Sequence, residues 1–280
     1  RMVSNHVGEN NFKKNVNYFL KKYDGKAVTC EDFLCCIENY ANINLSSFLN
    51  WYSQKGIITL DIKRIFNKPN GVELEFYQTN KFSRTLVPIP IKLSFFNKEG
   101  KKIKFNYNGD KKDEHYLIFK NKKMKVFFPE IKNSSIPSLL RNFSAPVNLK
   151  TDLSIFQKIH LLKFDDNLFQ KWDICQNLHL KQLKSSNLNL FCKTMSELIN
   201  LKSIDQSILA LLLSLPSYKT FQNSHTNYDP LNLYICRKNY SNLFYKKLEI
   251  DLVKLFEKVL SKFHDKSKGN IRSLLKIIID

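Results

Sequence analysis

The sequence predicts a multi-domain α+β chain: a helical segment, then a β-sandwich, then an all-helical region. Shifts in hydrophobic period carry that expectation. Apolar residues in positions 1–55 recur at helical spacing, positions 56–150 alternate with a period of two, and positions 151–280 return to the helical period. These three spans are read as three domains. Hydrophobic content of 43% with 22 Phe suffices for packed cores and excludes a disordered chain.

The first span starts in a helical pattern, with Phe12, Val16, Phe19 and Leu20 on one face. Thr29 with Asp32 three residues on reads as a capping box, since each side chain can satisfy a free N–H at a helix entrance. Phe33, Leu34, Ile37 and Tyr40 then form an apolar stripe. A second short helix starts at Asn44 to Ser46, carries Leu45, Phe48, Leu49 and Tyr52, and stops at Gly56.

In the second span Val72, Leu74 and Phe76 alternate with Glu73, Glu75 and Tyr77, as do Ile91, Leu93 and Phe95 with Lys92, Ser94 and Phe96. Asn97 to Gly100 reads as a hairpin turn because Asn and Gly tolerate positive φ. Ile103–Phe105, Tyr116–Phe119 and Met124–Phe128 supply further strands, which suggests a sandwich. Pro88 and Pro90 belong at a strand entrance or an edge, since neither can donate to a ladder.

The third span reads as antiparallel helices. Leu153, Phe156, His160 and Leu161 come first, then Leu168, Trp172 and Cys175, then Leu188–Leu201 and Ile208–Leu215. A last long helix is expected from about Leu243 to His264, with Leu248, Leu252, Leu255, Phe256 and Val259 on one face. The uncapped start and the uncapped end at Ile277–Asp280 are those expected of a piece of a longer protein.

A formal net charge of +20 first suggests a nucleic-acid or anionic-membrane partner. The lysines cluster at Lys101–Lys104, Lys111–Lys112 and Lys120–Lys125, beside turns and without a base-stacking motif. A solvated surface is therefore the expectation, with no nucleic acid as partner. The longest apolar run, Ile208 to Leu215, is too short for a membrane span. The six cysteines lack chelate spacing and are expected as reduced thiols of a cytoplasmic protein.

Several blocks carry a resemblance. Asp24-Gly25, Ala27, Thr29-Cys30, Asp32-Phe33 and Trp51-Tyr52-Ser53-Gln54-Lys55-Gly56 form the first. Ile136 through Leu149 forms the second, and Phe164-Asp165-Asp166-Asn167 with Lys171-Trp172-Asp173 and Gln176 the third. Leu215-Pro216-Ser217 and Asp229-Pro230 follow. In this order they resemble the zinc aminopeptidase N family, gluzincin metallopeptidases, in its bacterial and apicomplexan-type branch. The resemblance implies that 1–55 are the carboxyl-terminal helices of a thermolysin-like catalytic domain, 56–150 an Ig-like sandwich, and 151–280 the front of an α-superhelical domain. It implies a parent enzyme that removes amino-terminal residues from peptides with one zinc ion. The family's His-Glu-x-x-His helix, distant Glu, Gly-x-Met-Glu-Asn loop and catalytic Tyr are absent here, so this chain would scaffold and enclose a site supplied by a missing upstream domain. A relative that has lost its metal ligands and serves as an interaction scaffold is the alternative.

No catalytic, cofactor-binding or metal residue is therefore expected in this chain. His6, His115, His160, His179, His225 and His264 show no zincin spacing. Ser138 and Ser144 lack a nucleophile elbow. Cys30 follows a helix cap that could activate a thiol, yet no His neighbours it, and a packing role is expected. Asp165-Asp166 are expected as helix N-terminal charges rather than general acids.

Overall fold

In the computed structural model, which describes residues 1–65, 71–181, 185–201, 204–224, 229–260 and 274, the chain forms two compact units, Arg1–Asp152 and Leu153–Asp280. The amino-terminal helices and the sandwich share the first unit. Helix α1 (Met2–Val7) meets α2 (Glu9–Tyr23) at Gly8, whose φ of 82° breaks the helix. Helix α3 (Cys30–Ala41) opens with the expected capping box, Thr29 Oγ1 accepting from Asp32 N–H at 3.1 Å and the Asp32 carboxylate accepting from Thr29 N–H at 2.9 Å. Leu34, Ile37, Leu45 and Phe48 build a small core here.

Two sequence expectations fail in this segment. The second helix is a 3-10 turn (Ser46–Leu49) running into one turn of α-helix, α4 (Asn50–Ser53). So short a helix is marginal by itself, and tertiary hydrogen bonds take its polar side chains instead. Tyr40 and Tyr52 leave the apolar stripe, 49% and 70% exposed, while Cys36 enters it.

The sandwich packs two four-stranded sheets. In the first, β1 (Thr59–Ile65) lies between β2 (Val72–Thr79), antiparallel, and β10 (Asn148–Thr151), parallel, with β8 (Lys123–Phe128) outside β2. In the second, β3 (Ile89–Phe96) pairs with β4 (Lys102–Ile103), β7 (Glu114–Phe119) and β9 (Ile136–Leu139). A hairpin of β5 (Phe105–Tyr107) and β6 (Asp110–Lys112) stands apart. Alternation puts Leu60, Ile62, Leu74 and Phe76 of one sheet against Ile89, Ile91, Leu93, Phe95 and Phe119 of the other. The Phe76 and Phe119 rings meet across the layers at 6.0 Å.

The Asn97–Gly100 turn forms as read, Gly100 N–H donating to the Asn97 carbonyl at 3.1 Å. Pro90 sits at the entrance of β3, opposite Ile118 and before Leu93–Phe96, the stretch that β9 covers. The expected strand Ile103–Phe105 breaks into β4 and β5. The lysine clusters are largely ion-paired: Lys123 and Lys125 reach across the ladder to Glu75 at 2.8 and 3.4 Å, and Lys102 to Asp113 at 3.3 Å. Paired cross-strand charge is what a solvated sheet face carries.

The second unit holds α5 (Ile155–Phe164), α6 (Leu168–Leu180), α7 (Ser185–Asn200), α8 (Gln206–Leu213), α9 (Tyr218–Ser224) and α10 (Pro230–Leu260). Helix α10 starts far upstream of the expected Leu243, because Asp229 accepts from Asn232 N–H at 3.1 Å and Pro230 suits the first helical position. The expected faces of α5 and α6 hold only in part: Leu161 and Cys175 are buried, but Phe156 and Leu168 are 66% and 50% exposed, and Ile159, Leu162, Ile174 and Leu178 are buried beside them. His225, His264 and Ile277–Asp280 lie outside the described residues. Among those residues no helix is long and apolar enough to cross a membrane.

Candidate functional site

The first motif block is a clamp. Gln54, Asn50 and Trp51 donate to the Thr85, Leu86 and Pro88 carbonyls at 3.0, 3.1 and 2.8 Å, and Gln78 Nε2 of β2 donates to the Val87 carbonyl at 3.1 Å. Consecutive carbonyls of the loop before β3 are thus each taken by a side-chain N–H. Asn80 closes the other end, donating to Gln54 Oε1 at 2.7 Å and to the Lys55 carbonyl at 2.9 Å. Gly56 turns the chain at φ +73°, where an added Cβ would stand 2.5 Å from the Phe82 ring. Of the Trp-Tyr-Ser-Gln-Lys-Gly block, Trp51, Gln54 and Gly56 follow from this geometry. Beside the clamped loop opens a cavity of about 510 Å³ lined by Arg84 and Lys122 among others.

The second block carries strand β9, a turn and strand β10. Arg141 is 2% exposed, and its Nε donates to the Glu114 carboxylate at 2.5 Å while Nη1 donates to Ser138 Oγ at 3.2 Å. Lys92 Nζ reaches the same carboxylate at 2.6 Å. Burial alone would raise the Glu114 carboxyl, but Lys92 and Arg141 together hold it below the ordinary range. Around Arg141 the backbone takes positive φ at Leu140, Asn142 and Phe143 (55°, 55° and 53°), a strained path for a Leu and a Phe. Ser144 Oγ accepts from Lys92 N–H at 3.2 Å. Ser138 and Ser144 are both buried and structural in these contacts.

The third block joins α5 to α6. Asp165 is buried and accepts from Asn167 N–H at 2.8 Å, and Asn167 caps α6 by accepting from Gln170 N–H at 3.1 Å. Asn167 is thus the cap, and the acids expected as N-terminal charges stand outside the first turn of α6, Asp165 closing α5. Lys171 Nζ donates to the Leu162 and Lys163 carbonyls at 3.0 and 2.9 Å, satisfying the end of α5. Gln176 donates to the Ser214 carbonyl at 2.8 Å and so fastens α6 to α8. Asp173, which faces Lys158, is pushed up to about 6 by burial.

The remaining candidates disperse. His6 is ring-stacked with Phe48 and Tyr116 at 6.0 and 6.1 Å, and burial, then the Lys120 charge, lower its pKa. His115 is buried with Nε2 2.9 Å from the Phe105 carbonyl. His160 lies against Phe164. His179 is fully buried on α6 among Phe191, Tyr240 and Phe244, its Nδ1 3.1 Å from the Tyr240 hydroxyl. Burial lowers it to about 3, an effect the Leu212 backbone beside it offsets only in part. Cys30 is exposed at the start of α3, which corrects the packing role expected for it. Cys35 is exposed and Cys36 buried, as adjacent helix positions require. Among the described residues no group of three or more His, Cys, Asp or Glu is placed to hold a metal ion. Sequence reasoning missed the clamped loop, the cavity and the buried Asn15, whose side-chain atoms find no hydrogen-bond partner among the described residues; no periodic or motif signal marks them.

Comparison with known proteins places these blocks. Residues 56–152 match DUF3458, a domain of unknown function with an Ig-like fold, and residues 156–280 match DUF3458_C, described as ARM repeats. Aminopeptidase N of Haemophilus influenzae is 29% identical over 274 residues, an alignment covering 91% of this chain and 31% of that protein. Aminopeptidase N of Escherichia coli is 26% identical over 280 residues, with the same 91% and 31% coverage. A crystal structure of Legionella pneumophila aminopeptidase A in complex with aspartic acid superposes with a TM-score of 0.85 at 26% identity, over 99% of this chain and 33% of that one. The chain thus spans a minor part of each relative. It is homologous, at that partial coverage, to the gluzincin aminopeptidases of the N and A type.

Proposed function

We propose that this chain is the non-catalytic portion of a zinc-dependent aminopeptidase that removes amino-terminal residues from peptides. The sandwich sets the angle between a catalytic and a helical domain, with domain limits near 55 and 150. The helical domain encloses a cavity that admits peptides and excludes folded proteins. The carrying observation is the likeness to aminopeptidase A over 99% of this chain but 33% of that one. No step of the reaction is assigned to these residues, because the described His, Cys and carboxylate groups do not fit a zinc ion. The zinc and the group that activates water belong to the parent protein outside this span, where zinc would polarise the scissile carbonyl.

The test compares the full-length gene product with this chain on a panel of aminoacyl reporter substrates, with and without a zinc chelator. Chelator-sensitive turnover by the full-length protein and none by this chain is expected. A full-length protein that neither binds zinc nor turns over would replace the proposal by an interaction scaffold. Turnover by this chain alone would overturn it outright.

A further inference from the structure

The cavity beside the clamped loop has the chemistry of an anion site. Its walls bring Arg84, from the loop, and Lys122, from the turn between β7 and β8, to one opening of about 510 Å³ with no carboxylate among the described lining residues. Among the described residues neither cation has an ion-pair partner, although Lys123 and Lys125 next to Lys122 both do. Hydroxyls of Thr79, Ser83 and Thr85 line the same space. Ser83 Oγ accepts from Thr85 N–H at 3.1 Å, which leaves its own proton to donate.

The backbone is arranged to suit a negative ligand. Carbonyl oxygens would repel an anion, and those of Thr85, Leu86, Val87 and Pro88 are each engaged by an amide or indole N–H. These bonds also fix the loop before any ligand arrives, so little ordering entropy opposes binding. Ile58 and Leu86 add apolar wall, and the volume far exceeds that of a bare inorganic ion.

We propose that this cavity binds a small organic oxyanion, a phosphate or carboxylate head on an apolar body, with Arg84 and Lys122 holding the head. The site belongs to the sandwich alone, so it stands or falls independently of the peptidase reading.

Phenyl phosphate, 3-phenylpropionate, inorganic phosphate and benzyl alcohol serve as probes, titrated at constant ionic strength and followed by backbone amide chemical shifts. Saturable shifts confined to the Thr79–Leu86 and Lys122 amides are expected with the two aromatic anions, weaker ones with inorganic phosphate and none with benzyl alcohol. The stronger of the two aromatic anions identifies the head group. Charge-assisted hydrogen bonds of this kind make Arg84→Gln or Lys122→Gln cost about tenfold in affinity each. Lys98→Gln, in the Asn97–Gly100 turn, leaves affinity unchanged. Both cations are exposed, so the variants should melt as wild type does, which a thermal scan checks. Shifts spread over the surface lysines, equal binding by the Arg84→Gln/Lys122→Gln double variant, or no saturation at low-millimolar probe would each overturn the proposal.

Discussion

Acid should weaken the helical unit through one imidazole. His179 is fully buried and its pKa stands at about 3 in the fold, against 6.5 in an unfolded chain. The unfolded state therefore takes up a proton that the folded state refuses, and stability falls as pH drops below 6.5. From there to pH 5 the deficit grows by about 1.5 units at about 1.36 kcal/mol each, or about 2 kcal/mol. Asp173 acts in the opposite sense: its carboxyl is raised to about 6, so its contribution is present in acid and lost as pH rises through that value. A paired comparison removes it. His179→Leu should be less stable at pH 7, since it strands the Tyr240 hydroxyl, yet lose about 2 kcal/mol less than wild type between pH 7 and pH 5. The assay is hydrogen exchange of the α6 amides across a urea series at each pH, corrected for intrinsic rates. Parallel pH profiles for the two proteins would refute the reasoning, as would a folded-state imidazole titration near 6.5.

Other perturbations follow from the motif blocks. Gly56→Ala should cost about 1–2 kcal/mol for the left-handed backbone, and Phe82→Ala in the same chain should recover only the steric part. Thermal melts of the two single variants and the double one separate these contributions. Arg141→Ala should cost about 3–5 kcal/mol because it breaks a buried pair, whereas Lys92→Ala, at the rim of the same carboxylate, should cost about 1 kcal/mol or less. Urea midpoints in the reverse order would show that the network is not held by the arginine. Thr29→Ala should cost about 1 kcal/mol through loss of the α3 capping box, read as a lower melting temperature and faster exchange at the Asp32 amide.

Periodicity made the helix–sandwich–helix order legible, most clearly at Val72–Phe76, where β2 alternates buried and half-buried positions. It failed where burial is not one-sided. Strand β9, Ile136–Leu139, is buried at every position and holds a Pro and a Ser, so it shows no alternation. In α5 and α6 the apolar residues surround the helix, and the buried face could be framed several ways. The motif blocks were visible as resemblance, but their work was not. Trp51 and Gln54 act on backbone carbonyls more than thirty residues away, which carry no side-chain signature in the sequence. The burial of His179 likewise depends on α7 and α10 arriving beside α6. A lone His in a helical run cannot announce that.

The loop before β3 has a consequence for proteolysis. Lys81 and Arg84 are exposed, and by side chain alone they are sites for a trypsin-like protease. Such an enzyme must draw the chain out as an extended strand and pair with its peptide groups. Immediately after Arg84 those carbonyls are already spoken for by Gln54, Asn50, Gln78 and Trp51. The segment is a surface loop that a nicking enzyme can touch but not grip, and it should be cut only once the sandwich itself has opened.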